Sequence, residues 1–321
     1  MIQSMNFKSK KKQSGVALIT AVLIVALAVV ASVSIAENYQ LNFRRTVTAF
    51  NSGQAWSYAK GAEEWAMAIL ARDLKDSGGY DGHDEAWWND GDPLVFPLPG
   101  GLIEGKLEDV QGKLNVNKLM TGGKPNPVMY KRFERLFASL EINVGLVGAI
   151  QDWIDPDRDF TGSDGAERDV YKKLEYAYLP ADQPMKDISE LRLVHGIDEK
   201  IYNKLLPHIT ALPSDTILNL NTASANVLES LGENIPPEQS VGKDIVKERE
   251  KKPFKQPNDF VTILTQKGYT ADINDGTVGV ASNYFLLNTK CLIGNSQVKM
   301  VSMIHRVGGN NLKVVKRSQK L

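Results

Sequence analysis

Hydrophobic and polar positions along this chain change their pattern three times. Residues 16–36 carry no charge at all, and about 20 apolar residues in a helix span a bilayer core. From Phe43 the apolar residues step at helical spacing: Phe43, Val47 and Phe50, then Tyr58, Ala62, Trp65 and Ile69, with Gln54 interrupting. No proline occurs in residues 16–74, and Asp76-Ser77-Gly78-Gly79 is a stop signal. One helix of roughly 88 Å is therefore predicted, at 1.5 Å per residue, with Trp56, Tyr58 and Trp65 used for packing. Residues 78–101 read as a loop rich in Gly, Pro and Asp, with Trp87 and Trp88 tucked beneath it.

Strand patterns follow at two distant places. Residues 102–110 partly alternate, and 113–116 read as a second short strand. Residues 283–290 and 297–307 are strand-like, joined by the turn Ile293-Gly294-Asn295-Ser296. The two regions are expected to pair into one antiparallel sheet on the long helix. Between them, helical stretches are predicted at 128–140, 146–154, 189–194, 199–205, 224–231, 242–250 and 257–265. The expected fold class is α+β: a long N-terminal transmembrane helix packed on a small antiparallel sheet, with a large, mostly helical inserted domain. The domain boundaries are a leader at 1–15, a membrane half at 16–36, the rest of the helix and first strands at 37–116, the insertion at 117–281, and closing strands with a tail at 282–321.

Charge adds direction to this picture. The 321 residues hold 38 Lys+Arg and 38 Asp+Glu, so there is no general pull toward nucleic acid or anionic lipid. The basic residues Lys8, Lys10, Lys11 and Lys12 precede the apolar run and belong on the cytoplasmic side. Everything after Glu37 then lies across the membrane. Lys313, Lys316, Arg317 and Lys320 make the tail basic, whereas 152–169 is acidic. The single cysteine, Cys291, allows no intrachain disulfide and reads as a buried, inert thiol on a strand. An exported chain without disulfides needs a sufficient core or another staple.

The acidic segment is the main chemical constellation. Asp155, Asp157 and Asp159 alternate, Gly162 and Gly165 permit tight bends, and Glu167 follows a dozen residues after Asp155. Calcium takes six to eight oxygen ligands, which such a loop can supply. The spacing is not that of an EF-hand. Magnesium demands stricter octahedral geometry, and zinc is disfavoured with no Cys or His nearby. A solvated acidic loop, partly neutralised by Arg158 and Arg168, fits the residues equally well.

Two further segments look like DNA-binding elements. Residues 189–202 resemble a helix-hairpin-helix unit, and 218–228 resemble the opening of a domain found in DNA-uptake receptors. A binding hairpin offers backbone N–H groups to phosphate at a helix N-terminus. Here the first turn, His195-Gly196-Ile197-Asp198, contains an aspartate, and the second, residues 232–237, has a glutamate and two prolines. Both oppose phosphate, so no nucleic-acid partner is expected, although Lys243, Lys247, Arg249, Lys251, Lys252 and Lys255 form a basic patch. The four histidines stand in unrelated contexts, and there is no Gly-x-Ser-x-Gly or phosphate-cradling glycine loop. The expectation is a structural and interaction protein, not an enzyme.

The junction Ser14-Gly15-Val16, basic before and apolar after, resembles that of the type IV prepilin-like proteins. That resemblance implies cleavage between Gly15 and Val16 by a prepilin peptidase, with methylation of the new N-terminus. Most of that family carry glutamate at the fifth mature position; here it is Thr20. The K-type minor pseudopilins of type II secretion lack that glutamate, and the chain resembles them over essentially its whole length. A carboxylate in the membrane needs a partner, which a subunit at a filament tip would not find above it. The D-W-x-D-x-D…G-A-E…Y pattern at 152–171 is similar to that family's calcium-binding motif. This implies Ca2+ ligands at Asp155, Asp157 and Glu167 first, then Asp159, Asp152 and Asp164.

The implied role is a minor pseudopilin at the tip of the type II secretion pseudopilus, initiating assembly and aiding export across the outer membrane. The implied location is the inner membrane of a Gram-negative bacterium, single-pass, with the C-terminal domain in the periplasm. Implied partners are the I-type and J-type minor pseudopilins, other pseudopilins, the prepilin peptidase, secreted substrates and the outer-membrane secretin. Two alternatives stand beside this reading. One is a soluble calcium-stabilised periplasmic binding protein with an ordinary signal cut after Ser34-Ile35-Ala36. The other is a membrane-anchored helix-hairpin-helix DNA receptor.

Overall fold

The computed structural model describes residues 14–76, 78–236, 239–271, 273, 276–308 and 311–320. The leader lysines Lys8 to Lys12 lie outside the described residues. Helix α1 runs Ser14–Asp76, 63 residues, about 95 Å at 1.5 Å per residue. Its lower half is exposed on every side, and among the described residues it is the one helix long and apolar enough to cross a membrane.

Upper α1 buries a narrow face on a sheet. Ala55, Ala59, Ala66 and Leu70 are fully buried, at the three- and four-residue spacing that places side chains on one helix face. The predicted stripe sits to one side of this face. Tyr58, Ala62, Trp65 and Ile69 are half-buried, and Phe43, Val47 and Phe50 are exposed. Alanine at the central positions lets the sheet approach the helix backbone, while the larger side chains flank the contact.

The sheet contains β1 (Leu94–Leu98), β2 (Gly101–Asp109), β3 (Tyr284–Ile293), β4 (Ser296–Arg306) and β5 (Leu312–Lys320), in that spatial order. All four pairings are antiparallel. The distant ends meet as expected, with Leu107 opposite Leu287. Alternation holds where one face is buried: Phe285, Leu287, Cys291 and Ile293 on β3, then Val298, Met300 and Ile304 on β4, point at α1. Burial raises the Cys291 thiol pKa, in keeping with an inert sulfur.

Two strands depart from the expectation. β1 lies within the stretch read as loop, and β5 within the basic tail. Both are edges, where one-sided burial gives little alternation. Pro97 in β1 removes a backbone donor, and Lys313, Lys316 and Arg317 charge β5, so both edges resist further strand pairing. Residues Leu114–Asn115 do not join this sheet; they pair in parallel with Ile209–Thr210 inside the inserted domain.

The insertion departs after β2 and returns at β3, between two adjacent strands, since Asp109 lies opposite Phe285. Its helices are α2 (Pro127–Ser139), α3 (Leu146–Ile154), α4 (Arg168–Tyr171), α5 (Glu199–Leu205), α6 (Ala225–Ser230), α7 (Val241–Lys251) and α8 (Pro257–Gln266). The predicted 189–194 helix is a 3-10 turn, Ile188–Leu193. Asn126 starts α2 by accepting from the N–H of Val128 and Met129 at 3.2 Å each, with Pro127 at the first position. Phe133, Phe137, Ile150, Val227, Phe254 and Phe260 lie in one continuous core.

A polar cluster fixes the joint. The buried Asp109 carboxylate accepts from Gln111 N (2.7 Å), Asn219 Nδ2 (2.9 Å), Thr222 Oγ1 (2.5 Å) and Ser282 Oγ (2.6 Å). Nearby, Asp81 accepts from Arg306 Nη1 at 3.0 Å through both oxygens, and from Ser282 N at 2.7 Å. Trp87 is buried against Phe285, with ring centroids 5.5 Å apart, and Trp88 stacks on His83 at 3.9 Å.

Candidate metal centre and processing junction

The acidic loop is built outward from α3, whose nine residues are all buried. Asp152, on its last turn, has no exposure. Its two oxygens accept from Thr161 N at 3.0 and 3.2 Å, and Gln151 Nε2 donates to Thr161 Oγ1 at 3.1 Å. The loop thus folds back onto the helix that launched it. Gly165 lies in a tight place: a Cβ there would sit 2.5 Å from Asp152 Oδ2 and 2.7 Å from the Thr161 carbonyl oxygen. Only glycine fits.

This fold-back brings Asp155, Asp157 and Glu167 together, with one carboxylate oxygen from each within 4.8 Å of the others. Asp155 is 1% and Glu167 3% exposed. Asp155 Oδ1 and both Glu167 oxygens are buried without a hydrogen-bond partner. Glu167 stands at the N-cap of α4 yet makes no cap bond with its side chain. Burial pushes the Asp155 carboxyl up to about 7, and Asp157, Asp152, Glu167 and Asp182 add repulsion. Burial likewise lifts Glu167 to about 7, with Asp152, Asp182 and Asp157 contributing.

The other three predicted residues are placed differently. Burial raises Asp152, opposed by its bonds from Thr161 and Ala166, and its oxygens are engaged in closing the loop. Asp159 is exposed and donates its N–H to Asp157 Oδ1 at 2.8 Å. Asp164 accepts from Asn143 Nδ2 at 2.8 Å, on the far side of the loop. One residue escaped sequence reasoning. Asp182, fifteen positions beyond Glu167, holds Arg168 through Oδ2 at 2.5 Å and keeps Oδ1 buried with no partner. It acts electrostatically on both Asp155 and Glu167. Its only local signal is Arg168, whose countercharge goes to Asp182 and not to the central carboxylates.

Buried carboxylates without a countercharge are costly unless protonated or bound to a cation. The donor set is all oxygen, with no Cys or His, and suits a hard cation such as Ca2+. The orphaned oxygens of Asp155 and Glu167 therefore fit the expected ion. A second acidic group shows the contrast. Asp73, Asp81 and Glu85 also cluster, but Arg306 reaches Asp81 at 3.0 Å and Asp73 at 3.9 Å and supplies the positive charge itself.

The DNA-like segments are occupied from within. Asp198 caps α5, accepting from Ile201 N at 2.7 Å, where a phosphate would bind. Residues Gly232–Glu233 pair with Thr270–Ala271. Arg249 is buried and donates to the carbonyls of Leu220 (2.8 Å) and Ala223 (2.6 Å). Lys247 and Lys251 pair with Asp244 and Glu248. At the other end, Gly15 and Val16 lie in the first turn of α1. Thr20 Oγ1 donates to the carbonyls of Val16 (3.1 Å) and Ala17 (3.0 Å). A hydroxyl satisfied this way needs no partner chain inside a membrane, unlike a carboxylate.

Comparison with known proteins bears on both ends of the chain. Two family models described as type II secretion system protein K match residues 112–214 and 218–281. The type II secretion system protein K of Pseudomonas aeruginosa is 35% identical over 317 residues, covering 96% of this chain and 93% of that protein. The Pectobacterium carotovorum protein of the same name is 32% identical, covering 96% and 97%. Among solved structures, the GspK-GspI-GspJ complex of the enterotoxigenic Escherichia coli type 2 secretion system matches with a TM-score of 0.72 at 26% identity. That match covers 86% of this chain and 99% of that one. With two family models side by side in the inserted domain and relatives above 30% identity along nearly its whole length, the chain belongs to the type II secretion system protein K family.

Proposed function

We propose that this chain is a minor pseudopilin that sits at the tip of the type II secretion pseudopilus and initiates its assembly. The observation that carries the reading is the architecture. A helix apolar all round in its lower half continues upward as the spine of a five-stranded sheet, and a large domain is inserted at the sheet's centre. The lower half holds the protein in the inner membrane, and the head lies in the periplasm. A head of this size suits a cap; repeated along a shaft it would block stacking. The related GspK was solved in a complex with GspI and GspJ, which supports I-type and J-type partners here. Other pseudopilins, secreted substrates and the secretin are further partners of this reading. Cleavage by the prepilin peptidase after Gly15 leaves a methylated Val16, and Ca2+ bound by Asp155, Asp157 and Glu167 staples the inserted domain. Nothing in the role calls for catalysis.

The ion would neutralise the buried carboxylates. The chain's own residues do the rest: Asp152 and Thr161 close the loop, Gly165 permits it, and Arg168 fixes Asp182. The test is the mature N-terminus, read by mass spectrometry from cells with and without the prepilin peptidase. A methylated Val16 that depends on the peptidase, together with loss of secretion in a strain lacking this gene, is the expected result. A chain beginning at Glu37 would refute the reading.

A further inference from the structure

A cleft lies where the loop after α1 meets the inserted domain. His83, Asp84 and Trp88 line it from the loop. Arg249, Glu250 and Pro253 line it from the end of α7 and the turn that follows. Its volume is about 450 Å3, the size that encloses a drug-sized ligand and far more than a lone ion needs. Beside it the two walls are already bridged. Lys255 lies 3.3 Å over the Tyr80 ring, and Tyr80 Oη donates to Asp84 at 2.7 Å.

The charges of the cleft differ in depth. Arg249 is only 6% exposed. Its Nη1 donates to the Leu220 and Ala223 carbonyls, which engages one nitrogen and leaves the charge unmet. Among the described residues no carboxylate pairs with it, and Glu250 acts on it through space. Burial lowers it to about 10, so it remains a cation at pH 7. Buried charges are ordinarily paired. Burial, with repulsion from Arg249, pushes His83 down to about 4. Its imidazole, stacked on Trp88 at 3.9 Å, is therefore neutral. Asp84 and Glu250 are exposed, and their charges oppose entry of a polyanion such as nucleic acid. The buried wall thus calls for one negative group, the exposed rim for a positive one, and Trp88 and Pro253 supply apolar surface. We propose that this cleft binds the C-terminal end of a polypeptide whose last residue is basic. The terminal carboxylate meets Arg249, and the basic side chain meets Asp84 and Glu250. This goes beyond the minor-pseudopilin reading and does not depend on it.

The full-length chain in detergent is titrated calorimetrically with four probes. These are an acetylated tripeptide ending in lysine with a free carboxyl, its C-terminal amide, the same tripeptide ending in leucine, and free lysine. The lysine-ended acid is expected to bind and, by binding the folded chain alone, to raise the Tm. The amide and the leucine-ended peptide should each bind about tenfold more weakly, the loss of one charged contact. Asp84→Asn with Glu250→Gln, both at exposed positions, should remove the preference for lysine over leucine and keep the preference for acid over amide. Absence of binding by the lysine-ended acid, equal affinity for acid and amide, or a lysine preference that survives in the double variant would each overturn the proposal. Free lysine binding as tightly as the tripeptide would overturn the chain-end assignment in favour of a basic amino acid.

Discussion

Without a cation in the acidic loop, the stability of the inserted domain should depend on pH in an unusual sense, and Ca2+ bound there as proposed should offset it. Asp155 and Glu167 both titrate near 7 in the folded chain, held up by burial, against about 4 in an unfolded one. Below pH 4 both states carry the protons and nothing changes. Between pH 4 and 7 the unfolded chain has released them while the fold retains them, so the fold loses stability as pH rises. A shift of about 3 units at 1.36 kcal/mol each is roughly 4 kcal/mol for one group. The two share one field, so we take about 4 kcal/mol as the loss for the pair. For a domain of this size that is on the order of 10 °C in Tm. Calcium at a thousand times its Kd returns about 4 kcal/mol, and more weakly at pH 5, where protons hold the ligands. The assay is thermal melting of the full-length chain in detergent, with EDTA or 1 mM Ca2+ chosen as on the order of that excess, from pH 5 to pH 8. With EDTA the Tm should fall toward pH 8, and calcium should restore it. Asp155→Asn with Glu167→Gln should flatten both effects. A calcium shift of equal size at pH 5 and pH 8, or one that survives in the double variant, would refute the reasoning.

Other outcomes follow from the same contacts. Arg306→Met leaves Asp81 buried without its countercharge and should cost about 3–5 kcal/mol, read as a shifted denaturant midpoint. Gly165→Val places side-chain atoms where Asp152 and Thr161 already lie; the expected result is loss of the calcium-dependent Tm shift while the far-UV helix signal persists. Asp109→Ala strands the hydroxyl donors of Thr222 and Ser282 and the N–H of Gln111 and should cost on the order of 3 kcal/mol, with faster hydrogen exchange at both ends of the insertion. In fluorescence anisotropy, the chain should bind duplex DNA only weakly at 50 mM salt and not at 200 mM, since Asp198 and Arg249 are already committed within the fold; tight binding that persists at 200 mM would reopen the receptor reading.

The parts of the structure legible in the sequence were those with a strong period or a strong exclusion. The uncharged run at 16–36 and the proline-free stretch above it specify one long helix. The alternation of β3 and β4 survives because one face is fully buried. β1 and β5 were missed because edge strands bury little and carry the very residues, Pro97 and the tail lysines, that mark loops and tails. The face of α1 was misplaced for a related reason. Large apolar side chains dominate a pattern read by eye, while the true contact uses Ala55, Ala59 and Ala66, whose value lies in their smallness. In the acidic loop, the spacing of Asp155, Asp157 and Glu167 was readable as a local pattern. That Asp152 and Asp164 would turn to backbone and to Asn143, and that Asp182 would arrive from a later turn, depends on three-dimensional closure that spacing does not encode.

The placement of the insertion has a mechanical consequence. Both of its crossings lie beside adjacent strands, and both are tied to one cluster. Asp109 sits where the chain leaves the sheet and Ser282 where it returns, and they hydrogen-bond each other at 2.6 Å. Asp81, just past the end of α1, accepts from Ser282 and from Arg306 of β4, so helix, sheet and insertion converge on a few buried polar groups. A second tie lies across the sheet, where Lys316 of β5 pairs with Asp187 of the insertion. A third runs from Arg317 to Glu63 of α1 at 2.6 Å. Loops alone would leave a large head free to swing on its stalk. These ties instead make displacement of α1 act on the head directly.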